Sequence, residues 1–118
     1  RNQIASLYNK YLAGLPIETP VVISHCYSSF HLYVIRLSNE KGLIQKEIFH
    51  QLHQDGVLVN LHYIPVYRHP FYSNLGFEQG YCPEAEYYFT HALSIPMYPS
   101  LNESDIKEIS NRISNVLS

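Results

Sequence analysis

Apolar residues recur at helical spacing from the first residues of the chain. Ile4, Leu7, Tyr8, Tyr11 and Leu12 share one face of a helix. Gly14 ends that pattern and Pro16 prevents its return. The stretch "IETPVVISHCYSSF" has little helical period and β-branched residues at Val21, Val22 and Ile23, so it reads as a connection entering a strand. In "FHLYVIRL", residues 30–37, alternation places Phe30, Leu32, Val34 and Arg36 on one face and His31, Tyr33, Ile35 and Leu37 on the other. Both faces are mostly apolar, which predicts a strand covered on both sides. Asn39 is placed to cap a second helix with the stripe Leu43, Ile44, Ile48, Phe49 and Leu52, and Gly56 supplies the left-handed residue past its end.

A second strand is predicted over residues 57–62. It opens into "NLHYIPVYRHPFY" (60–72), where Pro65 and Pro70 deny both a central strand and a regular helix. "YCPEAEYYFTHAL" predicts a third helix, with Pro83 at its first position and Glu84 and Glu86 at the positive end of its dipole. "SIPMYP" reads as a short strand or extended piece. The last helix is capped by Asn102 and buries Ile106, Ile109, Ile113 and Val116. The fold class is therefore α+β, a small sheet packed with helices on at least one face. This pattern leaves strand direction open.

The 118 residues fit one domain, 1–118, with enough apolar content (46%) for a core. A net charge of −2 lacks the basic excess of a nucleic-acid binder. No apolar run approaches the roughly 18 residues of a membrane span, and no segment has the pattern of a signal peptide. Cys26 and Cys82 are read as free thiols of a reducing cytoplasm. The unusual feature is 11 tyrosines and 7 histidines without tryptophan, a composition suited to a wet pocket, an interface or a tyrosine-rich core.

The candidate chemistry narrows quickly. His50 and His53 stand at i, i+3, but nothing in the sequence completes a metal site, so a solvated helix face is expected. Cys82 precedes a helix, where a thiol can be activated; the simpler reading is a small N-cap residue. Phosphate-binding glycine motifs and the G-x-S-x-G elbow are absent. What remains is "HYIPVYRHPFY", which offers the rings of Tyr63, Tyr67, Phe71 and Tyr72, the guanidinium fork of Arg68 and the imidazoles of His62 and His69. The competing reading is a loop packed on the sheet, with its aromatics buried and Arg68 exposed.

Four stretches stand in the order and spacing of one family: "SSFHLYVIRL", "QLHQDGV", "VNLHYIPVYRHPFY" and "CPEAEYYFTHALSIPMYPSLNESDI". Together they resemble the C-terminal small domain of the DegT/DnrJ/StrS sugar-nucleotide aminotransferases, and the loop after His62 and Tyr63 is most similar to the PseC type. The resemblance implies the small domain of the aspartate-aminotransferase fold, with the large domain that binds pyridoxal phosphate lying outside this chain. It implies a full-length enzyme that aminates a UDP-linked 4-keto-6-deoxy hexose, with glutamate as donor, for pseudaminic acid or a related surface glycan. It further implies a cytoplasmic homodimer. None of Lys10, Lys41, Lys46 and Lys107 lies in a Schiff-base motif, so the chain alone is expected to be inactive and to hold no cofactor covalently. His62, Tyr63, Ile64 and Pro65 are then expected to line the nucleotide-sugar site, with Tyr67, Arg68 and His69 near it and His31 facing the cleft. The alternatives are a free-standing nucleotide-sugar-binding module and a protein-docking domain.

Overall fold

A computed structural model describes residues 1–39 and 44–118. In chain order the elements are α1 (Asn2–Tyr11), β1 (Ile17–Glu18), β2 (Tyr33–Leu37), α2 (Gln45–Gln54), a 3-10 turn (Val66–Arg68), α3 (Pro70–Ser73), α4 (Pro83–His91), β3 (Ala92–Ile95) and α5 (Glu103–Leu117). The three strands form one antiparallel sheet in the order β1-β2-β3, which settles the direction that the pattern left open.

The register puts Tyr33 opposite Ile95 and Ile35 opposite Leu93. These four residues, with Leu37, are buried on one face of the sheet. Against that face lie Ile4, Tyr8 and Leu12 of α1 and its C-terminal end, Ile48 and Leu52 of α2, and Ile106, Ile113 and Leu117 of α5. Tyr8 and Tyr33 are fully buried, with ring centroids 5.0 Å apart. Each hydroxyl has a partner: Tyr8 donates to the Pro96 carbonyl at 2.7 Å, and Tyr33 donates to Asn9 Oδ1 at 2.5 Å. Part of the tyrosine excess is therefore core, with each polar tip satisfied.

The opposite face of β2 differs from the sequence expectation. Val34 and Arg36 are only half-buried, and with Leu32 and Tyr88 they look into an open cavity of about 880 Å³. Its other wall is the connection 19–30, where Val21, Ile23 and Tyr27 are exposed. An apolar strand face reports that something covers it, but not that the cover lies within this chain.

Three other expectations change. Residues 57–62 alternate as a strand should, with Val57 and Val59 buried and Leu58 exposed, yet they join the sheet through a single bridge, Asn60 to Ser94. Asn39 does not cap α2, whose N-cap is Ile44. Asn39 instead donates to the Tyr87 hydroxyl at 3.2 Å and accepts from His91 Nε2 at 2.7 Å. Of the expected α2 stripe, Ile48 and Leu52 are buried and Phe49 is partly buried, Ile44 is exposed, and Leu43 lies outside the described residues. Finally, the strand expected within "SIPMYP" starts earlier: α4 passes directly into β3 at Ala92. The Gln45 side chain secures that junction by donating to the carbonyls of Phe89 (2.8 Å) and Ala92 (2.6 Å), which occupy the helix end.

Local signals hold well. Asn102 caps α5 in a reciprocal box with Asp105. Gly56 follows α2 with φ +81°, and a Cβ there would stand 3.1 Å from Arg112 Nη1. Gly56→Val is expected to cost about 1–2 kcal/mol, from the left-handed backbone and the displaced guanidinium. Thermal unfolding with an unchanged midpoint would refute this.

Candidate functional site

The aromatic loop starts from a fixed point. Asn60 exchanges both backbone hydrogen bonds with Ser94 of β3, at 3.0 and 2.9 Å. Two residues on, His62 Nδ1 lies 2.8 Å from the Ser94 hydroxyl. Ser94 is buried in the sheet, so His62 is anchored to the scaffold and half-buried. Its ring meets Tyr63 edge-on, with centroids 4.5 Å apart across a cis peptide. Tyr63 itself points outward and is 72% exposed.

Ile64 is half-buried and Pro65 is buried. The Pro65 carbonyl accepts from Arg68 N–H, closing the 3-10 turn. His69, extended ahead of Pro70 as the proline ring requires, is exposed. Pro70 then opens the four-residue α3, taking the first helical position, where its missing N–H costs nothing. A proline expected to forbid a helix here starts a short one.

Tyr67 and Arg68 converge on a carboxylate from α4. The Tyr67 hydroxyl donates to Glu86 Oε1 at 2.7 Å and accepts from Cys82 N–H at 3.2 Å. Arg68 Nη1 donates to Glu86 Oε2 at 3.0 Å. The backbone N–H of Gly80 donates to Glu86 Oε1 at 3.0 Å. These donors hold the Glu86 carboxyl below the usual carboxylate range, the Gly80 amide first, then the Tyr67 hydroxyl and Arg68. Desolvation and the same carboxylate push the Tyr67 phenol up. Arg68 and Glu86 also border an open cavity of about 560 Å³ with Gln79, Gly80, Tyr87 and Thr90.

The packed-loop reading fits only Tyr67, which is half-buried. Tyr63, Phe71 and Tyr72 are exposed, whereas Arg68 is half-buried and paired. His31 does not join this group: its side chain is exposed, and its carbonyl accepts from Arg1 at 2.8 Å. Sequence reasoning missed Glu86, which was assigned only to the helix dipole. The signal for it was an arginine and a phenol that need an acceptor. It also missed the larger cavity beside β2.

Among the described residues no cluster of His, Cys, Asp or Glu suits a metal ion. His53 is engaged with the Val59 carbonyl at 2.8 Å and stacks on Phe49. Lys10, Lys46 and Lys107 are exposed on helices, and none borders either cavity. Lys41 lies outside the described residues. Among the described residues no helix is long and apolar enough to cross a membrane.

Residues 1–114 match the DegT/DnrJ/EryC1/StrS aminotransferase family. The chain belongs to this family. Relatives of this DegT-family chain include the UDP-4-amino-4,6-dideoxy-N-acetyl-beta-L-altrosamine transaminase of Campylobacter jejuni. It is 31% identical over 118 residues, which are 99% of this chain and 31% of the relative. The UDP-N-acetyl-3-dehydro-alpha-D-glucosamine 3-aminotransferase of Acidithiobacillus ferrooxidans is 29% identical over 99% of this chain and 30% of its own length. Among solved structures, Spr1654 of Streptococcus pneumoniae in its PMP form superposes with a TM-score of 0.86. The two are 27% identical, and the match covers 98% of this chain and 29% of that one. This DegT-family chain thus spans about 30% of the length of the curated relatives it matches.

Proposed function

We propose that this chain is the C-terminal small domain of a sugar-nucleotide aminotransferase and that the loop 62–81 is one wall of its nucleotide-sugar site. The observation that carries this reading is the loop itself. It turns rings toward solvent on a base pinned to the sheet, with a cation fixed behind them. Exposed rings offer stacking faces and apolar surface to a sugar or a base. Arg68 has five N–H donors and commits one to Glu86, which leaves others for a diphosphate. His62 and His69 supply polar contacts, and buried Pro65 stiffens the turn below them.

The described residues do not fit a covalent pyridoxal phosphate site, because Lys10, Lys46 and Lys107 sit on exposed helix faces away from the cavities. The cofactor, which supplies the electron sink of transamination, is assigned to a large domain outside the chain. The work of this chain is to bind and orient the sugar. The half-covered face of β2 and the exposed apolar connection beside it are consistent with a domain packed there.

Within this reading the substrate is a UDP-linked 4-keto-6-deoxy hexose on the way to a pseudaminic-type glycan, the donor is glutamate, and the enzyme is a homodimer. The altrosamine transaminase supports the UDP sugar and the 4-position, while the glucosamine relative acts at the 3-position. Exposed free thiols at Cys26 and Cys82 are in keeping with a cytoplasmic enzyme.

The test is turnover. Full-length protein loaded with pyridoxal phosphate is expected to convert the UDP-linked 4-keto sugar to an amino sugar at the expense of glutamate. The 118-residue chain alone is expected not to catalyse this conversion, and borohydride in the presence of pyridoxal phosphate is expected to leave no stoichiometric adduct at one lysine. A single-site adduct, at Lys41 or Lys46 for instance, would overturn the division between the domains. Amination at the 3-position would move the substrate assignment to the glucosamine type.

A further inference from the structure

We propose that Glu86 is a positioning residue for sugar binding: one carboxylate clasps both ends of the segment 69–79 and so fixes the wall that the loop presents. The inference rests on the nucleotide-sugar reading of the loop. It concerns a residue on α4, outside that loop.

The loop has little else to hold it. Neither the 3-10 turn nor α3 contains a buried residue, and Phe71, Leu75 and Tyr81 are all more than 60% exposed. A segment with so little apolar burial opens easily unless polar contacts restrain it. Glu86 provides those contacts at both ends. Tyr67 and Arg68 bond to it just before the segment, and Gly80 bonds to it just after. Tyr81 adds an edge-on contact with the Tyr67 ring at 5.6 Å on the same side.

The clasp is tied to the core through the chain. Glu86 lies on α4, which continues without a linker into β3, and Ala92 of β3 pairs with Arg36 of β2. Its side chain is 15% exposed, and that of Arg68 is 25% exposed. An isolated surface ion pair would hold little. Here three donors converge on one shielded carboxylate, and one of them is a backbone amide. The same donors keep the carboxyl ionised below the usual range, so at neutral pH the clasp is charged.

The clasp predicts separable effects in the full-length holoenzyme. Hydrogen exchange of peptides spanning 66–82 is expected to quicken about tenfold in Glu86→Ala, while peptides of α1 and α5 stay unchanged. KM for a UDP-linked 4-keto-6-deoxy hexose is expected to rise by a similar factor, with KM for glutamate unmoved. Glu86→Gln is expected to fall between Glu86→Ala and the wild type. Its amide oxygen still accepts from Gly80 and Tyr67, but the charge opposite Arg68 is gone.

Unchanged exchange in the alanine variant would refute the clasp. Faster exchange with both KM values unchanged would refute the positioning role. A wild-type protein that does not turn over the sugar would refute the reading of the site, and the exchange data would then decide the clasp alone. Exchange that quickens in α1 and α5 as well would show general destabilisation and count against a local clasp.

Discussion

Tyr33→Ala is expected to cost about 3–5 kcal/mol, the largest loss of any single truncation considered for this chain. The ring is fully buried, lies between Tyr8 and Phe30, and faces Ile95 across the sheet. Truncation leaves a cavity bounded by side chains on two elements and removes the hydrogen bond to Asn9 Oδ1. Against a typical domain stability of about 5–15 kcal/mol, that is enough to populate the unfolded state. Tyr33→Phe keeps the ring and is expected to lose about 1 kcal/mol, the net contribution of one hydrogen bond. Urea unfolding of the three proteins checks the ordering, and near-equal midpoints for the alanine and phenylalanine variants would contradict it.

The same residue sets an alkaline limit. Burial pushes the Tyr33 phenol from its ordinary value near 10 up to about 12, and burial raises Tyr8 as well. A raised pKa means that the folded state retains the proton after the unfolded chain has lost it. The stabilisation is complete below pH 10 and drains away as pH rises toward 12. In Tyr33→Phe this slope is expected to be shallower but not flat, because Tyr8 still contributes. An identical slope would place the titration elsewhere.

The second large effect concerns Arg68 in the full-length enzyme. Arg68→Ala is expected to weaken binding of the nucleotide sugar by about ten- to a hundredfold, the usual loss for a charge-assisted hydrogen bond. The half-reaction with glutamate, followed by stopped-flow absorbance of the cofactor, is expected to be intact. The pairing with Glu86 sharpens the test. If Arg68 contacts the diphosphate, its removal exceeds the effect of Glu86→Ala. If it serves only the clasp, its removal costs no more than Glu86→Ala, and the double variant is no worse than Glu86→Ala alone. Loss of the glutamate reaction with sugar binding spared would reassign Arg68 to the amino donor.

What the sequence disclosed was mostly local. The Asn102 cap, the Gly56 terminus and Pro83 at the start of α4 depend on neighbours within a turn or two and stand where the pattern put them, as do buried Ile4, Tyr8, Ile106 and Ile113, while Ile109 and Val116 are only partly buried and Leu117 closes the buried face of α5. Long-range partners were not legible. The run at 57–62 alternates like a strand, but whether it pairs along its length depends on what β3 offers, and β3 offers one bridge. β1 is two residues long, too short to show a period. The loop was recognisable by its rings and cation, while the acceptor for that cation lies 18 positions along the chain. The resemblance to the family supplied a function that spacing alone did not.

The clasp at Glu86 also bears on how such a domain is redesigned. Residues 67 and 68 on one side and 80 on the other are fixed to a single point on a helix that runs without slack into the sheet. The stretch between them is therefore expected to accept changes of length and of rings while the frame and its melting behaviour stay the same. An insertion between Pro83 and Ile95 has no such freedom, because every added residue turns the helix or flips the strand.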